Sequence, residues 1–354
     1  DGFDLIRFPG MELAIPAGLA ALHQRLADRF PSEKSGLDAY FEMHQQAIRA
    51  YGWYNLDPSV PPEAVLPFEE QSLQHVLDQC FRDPRPKALL SGQAALYGVP
   101  PQDAPFGLHA IVTDHLLQGA AMLEGGGDRL AMAMVRRLRS LGGTLHLKTR
   151  ADAIDVEGGD AVGVRAGERR FPADLVVANI HPKLVLDLLP SGAVRPAYRK
   201  RVEDAQVGRA HMGVYLRVKG DLSALHRRNL YRFRSWGSEV WDPPSSSVPF
   251  YFLTAPGSWE EGPVGTVLGL VQADWATVSA WRGQHDHPEY LAYKQERLAQ
   301  VLGAIADFAN QRKNGLRASY IVNRYINYSN YCILSCQFCS FAKKKRDADG
   351  FELS

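Results

Sequence analysis

From residue 19 to residue 81 the chain sets apolar residues among polar ones at helical spacing. Leu37, Tyr40, Phe41 and His44 recur three and four apart, which predicts a helix over residues 36–51. Residues 19–30 predict another, stopped by Pro31, and residues 71–81 a third, with Leu73, Val76, Leu77 and Cys80 on one side. At that spacing Cys80 reads as a small buried hydrophobe. Residues 1–6 read as an extended segment.

The clearest unit spans residues 125–179. Gly125, Gly126, Gly127 and Asp128 open a helix carrying Leu130, Met134, Val135 and Leu138, and Gly142-Gly143 stops it. Short strands are then expected at 144–148, 153–157, 161–166 and 169–173, separated by glycine-bearing turns. Asp174-Leu-Val-Val-Ala-Asn179 follows as a continuous apolar strand, the kind buried in a parallel sheet. Beyond Pro182 strands are expected at 210–218, 229–233, 249–253 and 265–272. A helix over 288–308 starts at Pro288, where the missing N–H is harmless, and a strand at 318–327 leads into a cysteine cluster. The pattern predicts a mixed α/β (α+β) chain, with a sheet-bearing substrate domain in or beside an α/β nucleotide-binding domain.

At 354 residues there is room for two domains. A net charge of +1 excludes a general nucleic-acid binder, though the charge is uneven. Residues 310–354 carry eight basic against three acidic side chains, a net of +5, which leaves −4 for the rest. The run Lys343-Lys344-Lys345-Arg346 reads as a solvated face, with no nucleic-acid partner. No apolar run reaches the ~18–20 residues of a membrane span, so membrane contact, if any, is peripheral. Residues 106–122 come nearest and are broken by His109, Asp114 and His115. The chain opens on Asp1 without a signal peptide, and the reading frame is expected to extend upstream. Three of the four cysteines fall within eight positions, which points to a metal site in a reducing compartment and to a cytoplasmic location.

Three stretches carry a resemblance: Glu124-Gly-Gly-Gly-Asp-Arg-Leu, Gly142-Gly-Thr-Leu-His-Leu-Lys-Thr-Arg150-Ala151, and Ala173-Asp-Leu-Val-Val-Ala178-Asn179. With the stretch from Leu90 to His109, they resemble the FAD-dependent phytoene desaturase, carotenoid isomerase and retinol saturase family over residues 1–300. The resemblance implies an oxidoreductase acting on a small-molecule or lipid-soluble polyene or retinoid. It also implies FAD contacts at Gly126, Gly127, Arg150, Ala151, Ala178 and Asn179. Ala151 stands where the family usually has valine, and Leu123-Glu124 where it has an aromatic and a proline. The Gly-x-Gly-x-x-Gly that seats a pyrophosphate on a helix N-terminus does not occur in the sequence, so the FAD-binding Rossmann-like domain is expected to be incomplete and its flavin not held stoichiometrically. His109, His115, His181 and His211 read as ordinary partly buried histidines, and no catalytic residue is assigned.

Near Val301 the character of the sequence changes. Tyr320-Ile-Val-Asn-Arg-Tyr-Ile-Asn-Tyr-Ser-Asn-Tyr-Cys332-Ile-Leu-Ser-Cys336-Gln-Phe-Cys339 resembles the start of aminofutalosine synthase, a radical-SAM enzyme of menaquinone biosynthesis, and its deazaflavin-forming relatives. Three thiolates at this spacing can hold three irons of a [4Fe–4S] cluster and leave the fourth open. The resemblance implies S-adenosyl-L-methionine on that iron, with Phe338 beside its adenine. A structural zinc site would want a fourth ligand, and no Cys or His supplies one between residues 310 and 354. Inert thiols in a cut-short loop are the other alternative. Residues 301–354 would then form the first strand and cluster loop of a radical-SAM barrel. Three readings stay open: a partial FAD oxidoreductase joined to a radical-SAM loop, a menaquinone-pathway enzyme lacking most of its barrel, and a junction product with no complete activity.

Overall fold

The computed structural model describes residues 2–310 apart from 122, 124–125, 206–209, 220–224, 242–249, 256–263, 274, 282 and 285. Two compact units result, one reaching Arg129 and resuming after Val207, the other beginning at Leu130. The described strands are β1 (Asp4–Phe8), β2 (Met11–Ile15), β3 (Ala153–Glu157), β4 (Asp160–Ala166), β5 (Arg169–Pro172), β6 (Ala210–Lys219), β7 (Asn229–Phe233), β8 (Phe250–Thr254) and β9 (Val264–Ala273).

Six of them make the sheet of the first unit, in the order β2-β1-β7-β8-β9-β6. β1 and β7 run parallel, and the other neighbours antiparallel. These strands are rich in aromatic and branched residues, and alternation sends successive side chains to opposite faces. On one face Ile6, Phe8, Tyr231, Phe233, Phe250 and Phe252 enter a core shared with helices. On the other, Leu5, Leu230, Tyr251, Leu253 and Val271 enter a second core. Phe8 stacks between Phe233, at 4.5 Å, and Trp236, at 4.4 Å. Full burial of each such side chain stabilises by about 1.5–3 kcal/mol.

The first face is covered by α1 (Leu19–Arg29), α2 (Lys34–Ala50), α3 (Leu73–Cys80), α4 (Pro84–Ser91) and α5 (Phe106–Leu117). α2 turns Leu37, Tyr40, Phe41, His44 and Ala47 inward, as its spacing predicts. Ser72 and Asp83 cap α3 and α4 by accepting from the His75 and Arg85 amides. The second face takes Leu298, Val301 and Leu302 from the helix Pro288–Asn310. Val301 sits so close to Gly269 that a Cβ there would lie 2.8 Å from it. The helix is therefore continuous across residues 300 and 301, and Val301 belongs to the sheet core.

The second unit contains α6 (Gly127–Ser140) from Leu130 on, the antiparallel meander β3-β4-β5, α7 (Pro182–Leu188) and α8 (Pro196–Asp204). Gly158 and Gly159, at φ 60° and 96°, make the two-residue turn between β3 and β4. Gly142, at φ 83°, ends α6. Its N–H donates to the Arg139 carbonyl, and that of Gly143 to the Leu138 carbonyl, at 3.0 and 2.9 Å.

Two expected strands are corrected here. Residues 144–148 and 174–179 form no ladder, and the parallel Rossmann-like sheet they were expected to join is not present among the described residues. The ladder stops where the Ala173 N–H donates to the Val162 carbonyl at 3.1 Å. A continuous apolar strand is held only between covered neighbours, and these segments have none among the described residues. Leu175 and Val177 are accordingly 78% and 83% exposed. The mixed α/β character holds, and no described helix is long and apolar enough to cross a membrane. The expected strand at 318–327 and the radical-SAM barrel segment lie outside the described residues.

Candidate functional site

The six residues expected to face a flavin all lie at the surface. Gly126, at φ 76°, and Gly127 precede and open α6, and a Cβ on either would meet no atom within 4 Å. Arg150 and Ala151 lead into β3, and among the described residues Arg150 pairs with the Asp152 carboxylate, at 3.7 Å. Ala178 and Asn179 end the unpaired segment after β5. No hydrogen bond or ion pair joins any of the six to another among the described residues.

A dinucleotide site must enclose most of its ligand. The nearest concavity to Arg150 in sequence is an open depression of about 570 Å³ lined by Asp152, Asp155, Glu157, Arg165, Arg170 and Asp187, among others. Both of its arginines are already paired: Arg165 and Arg170 reach Asp155 at 2.8 and 2.9 Å, and Arg170 reaches Glu157 at 3.0 Å. Neither a flat apolar ring nor a pyrophosphate is matched by that lining. The described residues of this unit do not by themselves fit FAD.

The first unit holds a more ordered polar cluster, buried between sheet and helices. Asp4 opens β1 almost fully buried, with Gln93 and Asn229 each donating to its carboxylate at 2.8 Å. Burial pushes its carboxyl up, and the Asn229, Gln93 and Tyr231 donors hold it back in part. On α2, His44 Nε2 lies 2.9 Å from the Thr113 hydroxyl, which donates to the His109 carbonyl at 2.8 Å. With that proton committed, His44 is the donor of the pair. Tyr97 donates to His109 Nδ1 at 2.9 Å.

His44 Nδ1 and His109 Nε2 are buried without a hydrogen-bond partner among the described residues. Burial lowers His44 to about 4, with Asp114 and the Ala110 carbonyl opposing. Burial lowers His109 to about 3, the nearby His44 adds to this, and the Leu90 carbonyl opposes without meeting Nε2 in hydrogen-bond geometry. Both imidazoles are neutral at pH 7. Around them Leu13, Ile15, Leu22, Tyr40 and Gln93 help to line a cavity with about 20 Å³ of water-accessible space. That is room for one water. A drug-sized ligand needs ~300 Å³ or more, so this cavity is no polyene channel.

Spacing on α2 put His44 on the buried side, but nothing local foretold its partner sixty-nine residues on. His109 is fully buried and His211 half-buried, with His211 Nε2 3.1 Å from the Ala95 carbonyl, whereas His115 and His181 are exposed. Cys80 is half-buried and burial raises its thiol, as its apolar reading implies. No group of three potential metal ligands occurs among the described residues. Cys332, Cys336, Cys339 and Phe338 lie outside them.

No protein-family profile matches the chain. It is 25% identical over 244 residues to the all-trans-retinol 13,14-reductase of Rattus norvegicus, covering 62% of this chain and 40% of that protein. With the Macaca fascicularis enzyme of the same name it shares 22% identity over 325 residues, covering 80% and 53%. A short segment of 68 residues is 44% identical to the FO synthase of Nocardia farcinica, 19% of this chain and 8% of that protein. The chain thus spans about half the length of the retinol reductases it matches. Among solved structures, an oxidoreductase from Methanosarcina mazei superposes with a TM-score of 0.53 at 15% identity, covering 80% of this chain and 62% of that one. Putrescine oxidase with bound putrescine gives 0.54 at 14%, covering 86% and 63%. The fold is that of known oxidoreductases, and the chain resembles retinol 13,14-reductases over most of its length and FO synthase over a short segment.

Proposed function

We propose that the chain joins two enzyme-derived parts: a partial FAD-dependent oxidoreductase of the polyene or retinoid kind over residues 1–300, and a radical-SAM [4Fe–4S] loop over residues 301–354. The carrying observation is the Cys332-x3-Cys336-x2-Cys339 spacing in a chain that otherwise resembles retinol 13,14-reductases. The likeness to FO synthase over a short segment supports the second part. Cys332, Cys336 and Cys339 would hold three irons, and Phe338 would lie beside the adenine of S-adenosylmethionine. When bound, such a cluster supplies the electron that cleaves the sulfonium.

A second reading draws on the exposed flavin residues: this polypeptide alone does not complete the oxidoreductase reaction. An enclosed flavin seat is what the oxidoreductase part lacks among the described residues. Its substrate class is a retinol-like or other polyene small molecule, as in the relatives' names.

Anaerobic reconstitution with iron and sulfide tests the first part. The wild-type chain should gain about four irons and a reducible EPR signal, and Cys336→Ala should lose both. Equal iron in the two proteins would remove the cluster from the proposal. A retinol reduction assay on the same sample tests the second reading, which predicts no turnover above the flavin-free background.

A further inference from the structure

Two imidazoles buried in the first unit, His44 on α2 and His109 on α5, each keep one nitrogen with nothing to bind. The hydrogen bond at the other nitrogen fixes where each ring carries its proton. Thr113 commits its hydroxyl proton to the His109 and Ala110 carbonyls, at 2.8 and 3.2 Å. His44 therefore donates to Thr113 from Nε2, at 2.9 Å, and has a bare lone pair on Nδ1. Tyr97 donates to His109 Nδ1 at 2.9 Å, so the His109 proton sits on Nε2. Both rings are neutral at pH 7, since burial lowers His44 to about 4 and His109 to about 3. His44 Nδ1 is thus a buried acceptor and His109 Nε2–H a buried donor, and neither has a hydrogen-bond partner among the described residues. Folded interiors leave few such groups unmet.

The two rings line one cavity, closed in by Leu13, Ile15, Leu22 and Tyr40 among others. Its water-accessible space is about 20 Å³. One water needs ~10–15 Å³, and an organic ligand far more. We infer that this cavity binds a single internal water, which donates one hydrogen to His44 Nδ1 and accepts the His109 Nε2 proton. The two tautomers select water over the ions that a pair of histidines attracts. A metal ion needs a lone pair from each ring, and His109 has none free: Nδ1 accepts from Tyr97 and Nε2 holds the proton. An anion would accept from His109 but meet the lone pair of His44, and an ammonium ion offers His109 no acceptor. A neutral molecule that donates and accepts from one atom satisfies both nitrogens, and at this size it is water. The bound water links α2 to α5 inside the helical cover of the sheet, and it is held whichever cofactors the chain takes.

Long-range ¹⁵N–¹H NMR on the full chain, with ¹⁵N-labelled histidine at pH 7, tests the site. His109→Gln identifies the His109 ring by the signals it removes, and His44→Phe identifies the other. Wild type should show both rings neutral with the proton on Nε2. The His109 Nε2 proton should also give a cross-relaxation peak to a water that exchanges slowly with bulk solvent. His44→Phe, which keeps a ring of similar size and removes the acceptor, should lose that peak and leave the His109 tautomer unchanged. If this variant does not fold, the wild-type tautomers and water peak decide alone. A proton on Nδ1 of either ring, a charged ring, no water peak in wild type, or a peak that survives in folded His44→Phe would each overturn the proposal.

Discussion

The sheet unit and the meander unit put similar side chains to opposite ends. In the first, residues alternating along β1, β7 and β8 fill a core on each face of the sheet. In the second, Ile154 and Leu186 are the buried hydrophobics among the described residues, while Leu175, Val177 and the leucines of α6 face water. The difference lies in partners. A helix closes its own hydrogen bonds, so α6 forms without cover, whereas a strand exists only beside another strand. Residues 174–179 have the composition of a central strand and no neighbour among the described residues to make them one.

The largest effect expected from this contrast is on stability. Phe233→Ala, which removes a ring packed against Phe8 and Phe250, should cost about 3–5 kcal/mol in urea unfolding. Leu175→Ala should stay within about 0.5 kcal/mol. Similar losses at the two positions would erase the distinction between the units.

Acid should weaken the sheet unit selectively. A histidine whose folded-state value is lowered binds its proton in the unfolded chain first, so stability is intact above pH 6.5 and declines below it. The decline should run to about pH 4 for His44 and about pH 3 for His109. Each contributes a slope of up to about 1.4 kcal/mol per pH unit. Asp4 acts with the opposite sign, since its raised carboxyl gains stability as pH falls through its folded value toward 3.8. Urea midpoints measured against pH should fall below pH 6.5 and fall less in His109→Gln. A flat profile from pH 6.5 to 4 would contradict the buried-imidazole assignment.

Smaller differences sharpen the same contrast. Gln93→Ala strips a donor from a buried carboxylate and should cost about 1–3 kcal/mol. Asp4→Asn removes the charge that burial disfavours and should cost less than Gln93→Ala, again by urea unfolding. At the surface of the meander, Arg165→Ala breaks a half-exposed pair with Asp155 that Arg170 still satisfies, and the loss should stay under about 1 kcal/mol.

Much of the fold was legible because it is written locally. The inward face of α2, the proline start of the last described helix, the Gly158-Gly159 turn and the strands β6, β7, β8 and β9 of the six-stranded sheet follow from spacing and turn residues. β2, α4 and α5 were not foreseen: Met11–Ile15 carries a charge between its apolar residues, and the apolar positions of α5 run all round the helix. Nor could the Asp4–Gln93–Asn229 cluster be read, since it joins residues 89 and 225 positions apart. The error at 144–148 and 174–179 has a different origin. Their composition signals burial between neighbouring strands, and composition cannot say whether those neighbours are there. Arg150, Ala151, Ala178 and Asn179 fell in or beside those segments, so their exposure follows from the same missing pairs, whereas Gly126 and Gly127 lie at the start of α6.

The most direct test of the account is the flavin content of the purified chain, read by absorbance after incubation with excess FAD and gel filtration. With Gly126, Gly127, Arg150, Ala151, Ala178 and Asn179 at an open surface, well under one flavin per chain should remain. A yellow protein carrying one FAD per chain would contradict it.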